Sequence, residues 1–215
     1  MAAALAHLLH GLRRVVRVRG RQGVVREPLP VRAASGLRPP VFNLCNFVAY
    51  QLAWFAVLIS AARGQAWAGT ALALLLAAVH LALRREAREL RVIVVALLLG
   101  LVIDSTLAFT GQVRFADAWP RNFAPYWMLA LWIAFATTLN HSLSWLMSRP
   151  FAAAIAGAIG GPLAYLAGGK IGALTMAVPA AAMPLIALLW APAMLVLSSV
   201  VMRHAVLPAS RRVSA

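Results

Sequence analysis

From residue 42 onward the chain alternates long apolar runs with short charged breaks. Residues 42–62, 66–83, 92–112, 124–147 and 151–167 are each close to the roughly 20 residues that carry a helix across a bilayer. Between them stand Arg63-Gly64-Gln65, the charged cluster 84–91, the group Arg114, Asp117, Pro120 and Arg121, then Ser148-Arg149-Pro150 and Gly168-Gly169-Lys170. Residues 171–202 exceed one straight span and fall short of two. Pro179, Pro184 and Pro192 divide them, and proline bends a helix by removing a backbone donor. One further span over 182–202, entered through a loop or half-helix at 171–181, is the reading that fits. The pattern predicts an all-α polytopic transmembrane helix bundle of about six spans.

Residues 1–41 follow a different rule. Eight arginines lie between positions 13 and 38 against one acid, Glu27, and prolines interrupt any helix. The apolar start at 2–9 is too short to span, and its arginines follow the apolar run, the reverse of a signal peptide. A basic, mostly unstructured cytoplasmic arm is expected, then a transmembrane domain over 42–203 and a short basic tail at 204–215. An initiation point further downstream, leaving part of the arm untranslated, is the alternative.

Composition agrees with the pattern. Of 215 residues, 63% are apolar and 12% charged, whereas soluble domains carry about 25% charged residues. A soluble domain and a disordered chain are both excluded, and the single Cys45 excludes an internal disulfide. The net charge of +15 would suggest nucleic acid in a soluble protein. Here the arginines flank apolar runs, so the positive-inside bias and anionic lipid headgroups account for it. Membrane lipids are the expected partners, and nucleic acid is not. With the N-terminus inside, inner segments hold 16 basic residues and outer segments 4; without the arm the ratio is eight to four. Both termini are therefore expected in the cytoplasm.

Ionisable groups in hydrocarbon are costly, so an intramembrane carboxylate marks a candidate site. Asp104 lies thirteen residues beyond Arg91, about 20 Å along a helix, beside the small residues Gly100, Ala108 and Gly111. It should face the bundle, either as a proton acceptor, substrate anchor or general acid/base, or as a carboxyl that ties helices together. In the fourth run Thr137, Asn140/His141, Ser144 and Ser148 share one helical face. His141 is the second acid/base candidate, with a helix-bonding role as the alternative. Gln51 lies at a similar depth, so Gln51, Asn140 and His141 should meet in one layer, with Asp104 one to two turns further out. Gln51, Asn140, Ser105, Ser144 and Lys170 are the candidate substrate contacts. Lys170 falls in a glycine-rich stretch, 160–179, that reads as a broken helix lining a site, or simply as a span end.

Other chemistry finds no local motif. There is no His-x-x-x-His or His-x-x-Glu pair and no Walker spacing, so neither metal nor cofactor is expected. Gly157-x-x-x-Gly161 is a helix-packing motif, and small-residue faces of this kind would also serve a homo-oligomer or a membrane-protein partner. Trp119 and Trp127, flanking Pro120 and Pro125, fit the outer membrane surface.

A set of motifs spread through the apolar region completes the reading. Phe47-x-x-x-Gln51-x-x-Trp54-Phe55, Asp104-Ser105, Pro125-Tyr126-Trp127-Met128, Leu131-Trp132, Thr138-Leu139-Asn140 and Gly160-Gly161-Pro162-Leu163-Ala164-Tyr165 resemble domain-of-unknown-function family 2878. The resemblance covers about residues 42–202. It implies a small bacterial inner-membrane protein, and an association with lipid-modifying enzymes of the cyclopropane-fatty-acid-synthase kind; it implies no mechanism. The first functional reading is an enzyme or accessory factor in membrane-lipid modification, with Asp104 as acid/base. A small ion-coupled transporter, with Asp104 carrying a proton past the 160–179 break, is the alternative. A structural subunit of a membrane complex is the third.

Overall fold

The structure, a computed structural model, describes residues 39–205. The expected arm and tail lie outside the described residues, apart from the helical positions 39–41 and 204–205. Seven helices and one pair of short strands follow in the order α1 (Pro39–Ala62), α2 (Ala66–Arg84), α3 (Ala87–Phe109), β1 (Val113–Phe115), α4 (Tyr126–Leu139), α5 (Ser144–Met147), α6 (Pro150–Ile171), β2 (Leu174–Met176) and α7 (Pro179–Ala205). Helices α1, α2, α3, α6 and α7 are long and apolar enough to cross a membrane. Their outward faces carry Leu52, Leu75, Val102, Ile155 and Leu188 fully in the open. A water-facing monomer rarely shows so continuous an apolar surface, whereas lipid requires it. The helical membrane class stands, with five helices of spanning length.

The fourth apolar run behaves differently. Helix α4 has 14 residues, about 21 Å, against the 24 residues of the run. It packs on α1, α2 and α3, and ten of its residues are buried. A helix wrapped by protein is released from matching the lipid thickness. At its end the Thr137 and Thr138 hydroxyls donate to the carbonyls of Ala134 and Phe135, three residues back. The amides of His141 and Leu143 both turn back to the Thr138 carbonyl, closing a tight turn before α5.

The 160–179 stretch is not broken at its two glycine pairs. Helix α6 runs without interruption through Gly160-Gly161-Pro162 and Gly168-Gly169-Lys170. The reason is packing: a Cβ on Gly157 would stand 2.5 Å from the Met194 side chain, and one on Gly161 2.5 Å from the Trp190 ring. These glycines let α7 of the same chain approach, so they do not form an outward face for a partner. The helix ends one turn later, at Gly172, whose φ of 93° closes a left-handed cap. Helix α7 then runs as a single element through Pro184 and Pro192.

Two loops at this end are joined by strands the apolar pattern did not predict. β1 and β2 pair antiparallel, with Val113 opposite Met176, Arg114 opposite Thr175 and Phe115 opposite Leu174. Bonds from Ala116 N–H to the Ala173 carbonyl and from Ala177 N–H to the Gln112 carbonyl extend the ladder. In the same loop Asp117 accepts the Ala66 amide at 2.8 Å, satisfying one of the unpaired donors at the start of α2. Trp119 stays exposed as expected, but Trp127 is fully buried and donates to the Ala116 carbonyl. It anchors the loop from inside instead of lying at the surface.

Candidate functional site

Helix α3 turns one face to the protein interior, formed by Glu89, Val92, Ile93, Ala96, Gly100, Ile103, Asp104 and Leu107. The two carboxylates on that face each gather a cluster of side chains.

Asp104 is fully buried, as its small neighbours suggested. Its Oδ2 accepts the indole N–H of Trp132 at 2.8 Å, and its Oδ1 accepts the Tyr165 hydroxyl. Gly100, one turn back, makes room for this: a Cβ there would meet the Trp132 ring at 2.2 Å. Trp132 in turn stacks on Trp190, with centroids 4.6 Å apart. No ion pair reaches Asp104 among the described residues. Its hydrogen-bond partners are neutral donors alone. Tyr165 and Trp132 also wall a narrow cleft of about 50 Å³, completed by Tyr50, Trp54, Phe135 and Trp190. Trp190 Nε1 is buried beside the Tyr165 hydroxyl without a hydrogen bond of proper geometry. Asp104 itself stands behind this wall. It can fix the orientation of the two rings in front of it, so its reach to a bound molecule runs through Tyr165 and Trp132.

Glu89 is also fully buried, at the start of α3. The charged cluster 84–91 read as a break between spans, but only Arg85 and Glu86 are non-helical, so Glu89 turns inward. His80 Nε2 lies 3.3 Å from Oε2 and His141 Nε2 lies 3.2 Å from Oε1. The two imidazoles meet edge to face, with centroids 5.0 Å apart. Phe42 covers both rings, and the Arg84 guanidinium lies 3.6 Å over Phe42. Asn46 braces the cluster: its Nδ2 donates to the Thr137 carbonyl and faces His80 Nδ1 at 3.4 Å, while its Oδ1 accepts the Ser142 hydroxyl. The side-chain ligand atoms of His80, Glu89 and His141 all lie within 4.8 Å of one another.

The residues singled out from sequence are divided between these places. His141 joins Glu89, in the tight turn that follows the end of α4 at Leu139. The α1 residue in its layer is Asn46; Gln51 is half-buried and makes no side-chain hydrogen bond to Asn140 or His141. Asn140 reaches toward Glu89, although its Nδ2 is buried without a hydrogen bond of proper geometry. Ser144 donates to the His141 carbonyl and closes the turn locally. Ser105 accepts the Ala124 amide, holding the loop before α4. Lys170 is exposed in the last turn of α6, where a cation suits the helix dipole. None of these other candidates contacts Asp104 through a hydrogen bond; its partners Trp132 and Tyr165, like Glu89 and His80, were not read as site residues.

Five membrane-length helices and a short buried one, with two carboxylate clusters on one interior face, define a multi-pass helical membrane protein. The chain belongs to the family described as "Protein of unknown function (DUF2878)", which it matches over residues 43–196, as its motifs suggested. That span contains both clusters. No curated protein and no solved structure matches the chain.

Proposed function

We propose that the protein is a membrane-embedded enzyme or accessory factor that takes a lipid or other apolar molecule into the aromatic cleft, with Asp104 holding Tyr165 and Trp132 in the binding geometry. One observation carries this reading: a fully buried carboxylate commits both oxygens to two rings that wall a cleft. Six aromatic rings favour an apolar body. The transport reading relied on a broken helix at 160–179; α6 is continuous through its glycine pairs, and the chain leaves the helix only between Gly172 and Pro179, where β2 pairs with β1. The proposal includes residence in the bacterial inner membrane, with the short α4 as a sixth crossing and both termini in the cytoplasm, supported by the bias of basic residues; a C-terminal topology reporter checks it.

The experiment is comparative lipid mass spectrometry of a deletion strain complemented with wild type, Asp104→Asn or Tyr165→Phe at matched protein levels. A lipid change reversed by wild type and by neither variant is expected. An unchanged lipid profile in the deletion strain overturns the lipid-directed reading and makes solute transport or complex assembly the next test.

A further inference from the structure

At the far end of α3 from the cleft, three side chains that ordinarily ligate metals converge from three separate segments. His80 comes from the last turns of α2, Glu89 from the first turn of α3 and His141 from the turn after α4. With metal–ligand bonds of about 2.0–2.1 Å in a tetrahedral site, neighbouring donor atoms stand about 3.3–3.4 Å apart. The observed separations of 3.3 and 3.2 Å run to different Glu89 oxygens, and the three ligand atoms lie within 4.8 Å of one another, so small side-chain shifts bring them to that spacing. The donor set of two imidazole nitrogens and one carboxylate suits zinc or iron(II) and argues against calcium and magnesium, which take oxygen. We propose that His80, Glu89 and His141 form a binding site for one first-row divalent transition-metal ion, with zinc as its test occupant.

Two further features fit. Asn140 Nδ2 is buried beside Glu89 without a hydrogen bond of proper geometry; turned over, the amide offers Oδ1 as a fourth donor, and its orientation is set by whichever partner is present. The ligands are almost closed to solvent, at 7% exposure for His80, 0% for Glu89 and 8% for His141. Closed sites of this kind fasten segments together, and here the ion ties α2, α3 and the α4–α5 turn. Asn46 is the outer partner. A metal-bound His80 Nε2 leaves the proton on Nδ1, which then needs an acceptor. Rotating the Asn46 amide presents Oδ1 to that proton and Nδ2 to the Ser142 hydroxyl, at the expense of the bond to the Thr137 carbonyl.

The rival is a hydrogen-bond clamp in which each Nε2–H donates to Glu89, with Arg88 adding a distant contact at 3.7 Å. Metal binding separates the two. The full chain, carrying no polyhistidine tag, is purified in detergent, stripped with a chelator and titrated with zinc by calorimetry and cobalt(II) by visible absorption. One ion per chain is expected, with cobalt bands of a nitrogen–oxygen site. Glu89→Gln and His141→Gln should each weaken zinc binding by about 100-fold or more, and Asn46→Leu by about tenfold, since outer partners are worth roughly 10–100-fold. A His7→Ala/His10→Ala variant and Asp104→Asn should bind zinc as wild type does. If Glu89→Gln does not fold, His141→Gln carries the comparison. Absence of stoichiometric binding in wild type, or equal affinity in wild type and the ligand variants, overturns the proposal. Neither result depends on whether the aromatic cleft takes lipid.

Discussion

Glu89 and Asp104 lie fifteen residues apart on α3, about 22 Å along its axis, and share its buried face. Both are fully enclosed, yet their surroundings are opposites. Asp104 meets an indole N–H and a phenol O–H from α4 and α6, on rings that wall a cleft. Glu89 meets two imidazoles, one from a helix end and one from a turn, with Arg88 at its edge. A buried carboxylate needs donors in either case, but the choice of donor decides what else the cluster can do. Indole and phenol fix a direction and offer an apolar face; they are poor metal ligands. Imidazole can exchange its proton for a cation. One helix face thus sustains two unlike chemistries because different segments reach it at each end.

The sharpest way to break that comparison is Gly100→Val. Its side chain enters the space of the Trp132 ring, which a Cβ already approaches to 2.2 Å. Overpacking of this kind costs about 1–3 kcal/mol, and a displaced indole leaves the Asp104 carboxylate short of a donor for about 1–3 kcal/mol more. A fall of several degrees or more in the thermal midpoint in detergent is expected, with cleft binding lost. Zinc binding by the protein that remains folded should persist. Its disappearance in parallel would show that the two ends of α3 act as one unit.

The two clusters also differ in how far they were legible in the chain. Asp104 stood out because a single carboxylate inside an apolar run has no other explanation, and its small neighbours gave the direction it faces. Its donors did not: nothing local to Trp132 or Tyr165 says which helix they meet. The breaks at Arg63-Gly64-Gln65 and Ser148-Arg149-Pro150 set the helix boundaries closely, since each places charge or proline between apolar runs. Glu89 was hidden by the same rule. Hydropathy treats 84–91 as one polar gap, although α3 begins at Ala87 and Glu89 continues the helical stripe through Val92, Ile93, Ala96 and Gly100. Following that stripe backward from Asp104 would have found it. His80 and His141 escaped because motif spacing registers ligands within one segment, and these meet only through the fold. The three-residue strands β1 and β2 are too short to show an alternation, and each exists only through the other.

A middle-sized effect sharpens the account of Asp104. Trp132→Phe and Tyr165→Phe each remove one donor to the carboxylate and keep most of the ring. A hydrogen bond to a charged group is worth about 1.5–3 kcal/mol, so each variant should lose about that much in denaturant titration in mixed micelles. The double variant should lose more than the sum, by about 0.5–3 kcal/mol, because only then has the carboxylate no donor. Asp104→Leu should accordingly be less damaging in the double-Phe background than in wild type, as when a whole buried polar set is exchanged for apolar groups. Strict additivity would mean that Asp104 has a further partner and that its isolation from charge, the basis of the contrast with Glu89, is wrong.

The smallest expected effect lies away from both clusters and sets the baseline for them. Asp117 accepts the Ala66 amide at 2.8 Å across the loop joined by β1 and β2, at the end of the bundle opposite Glu89. Asp117→Ala frees a helix N-terminal donor, a loss of about 1 kcal/mol, and the side chain is exposed enough for water to take its place. A small drop in thermal midpoint should follow, with zinc affinity and the lipid profile as in wild type. The comparison depends on this silence. If a loss of that size at Asp117 changed the lipid readout as strongly as Asp104→Asn, the readout would be following overall stability, and the carboxylate behind Tyr165 and Trp132 would have no special claim on the cleft. If Asp117→Ala is silent while Tyr165→Phe, with an intact ring, loses the lipid effect, the hydroxyl held by Asp104 is the group that matters.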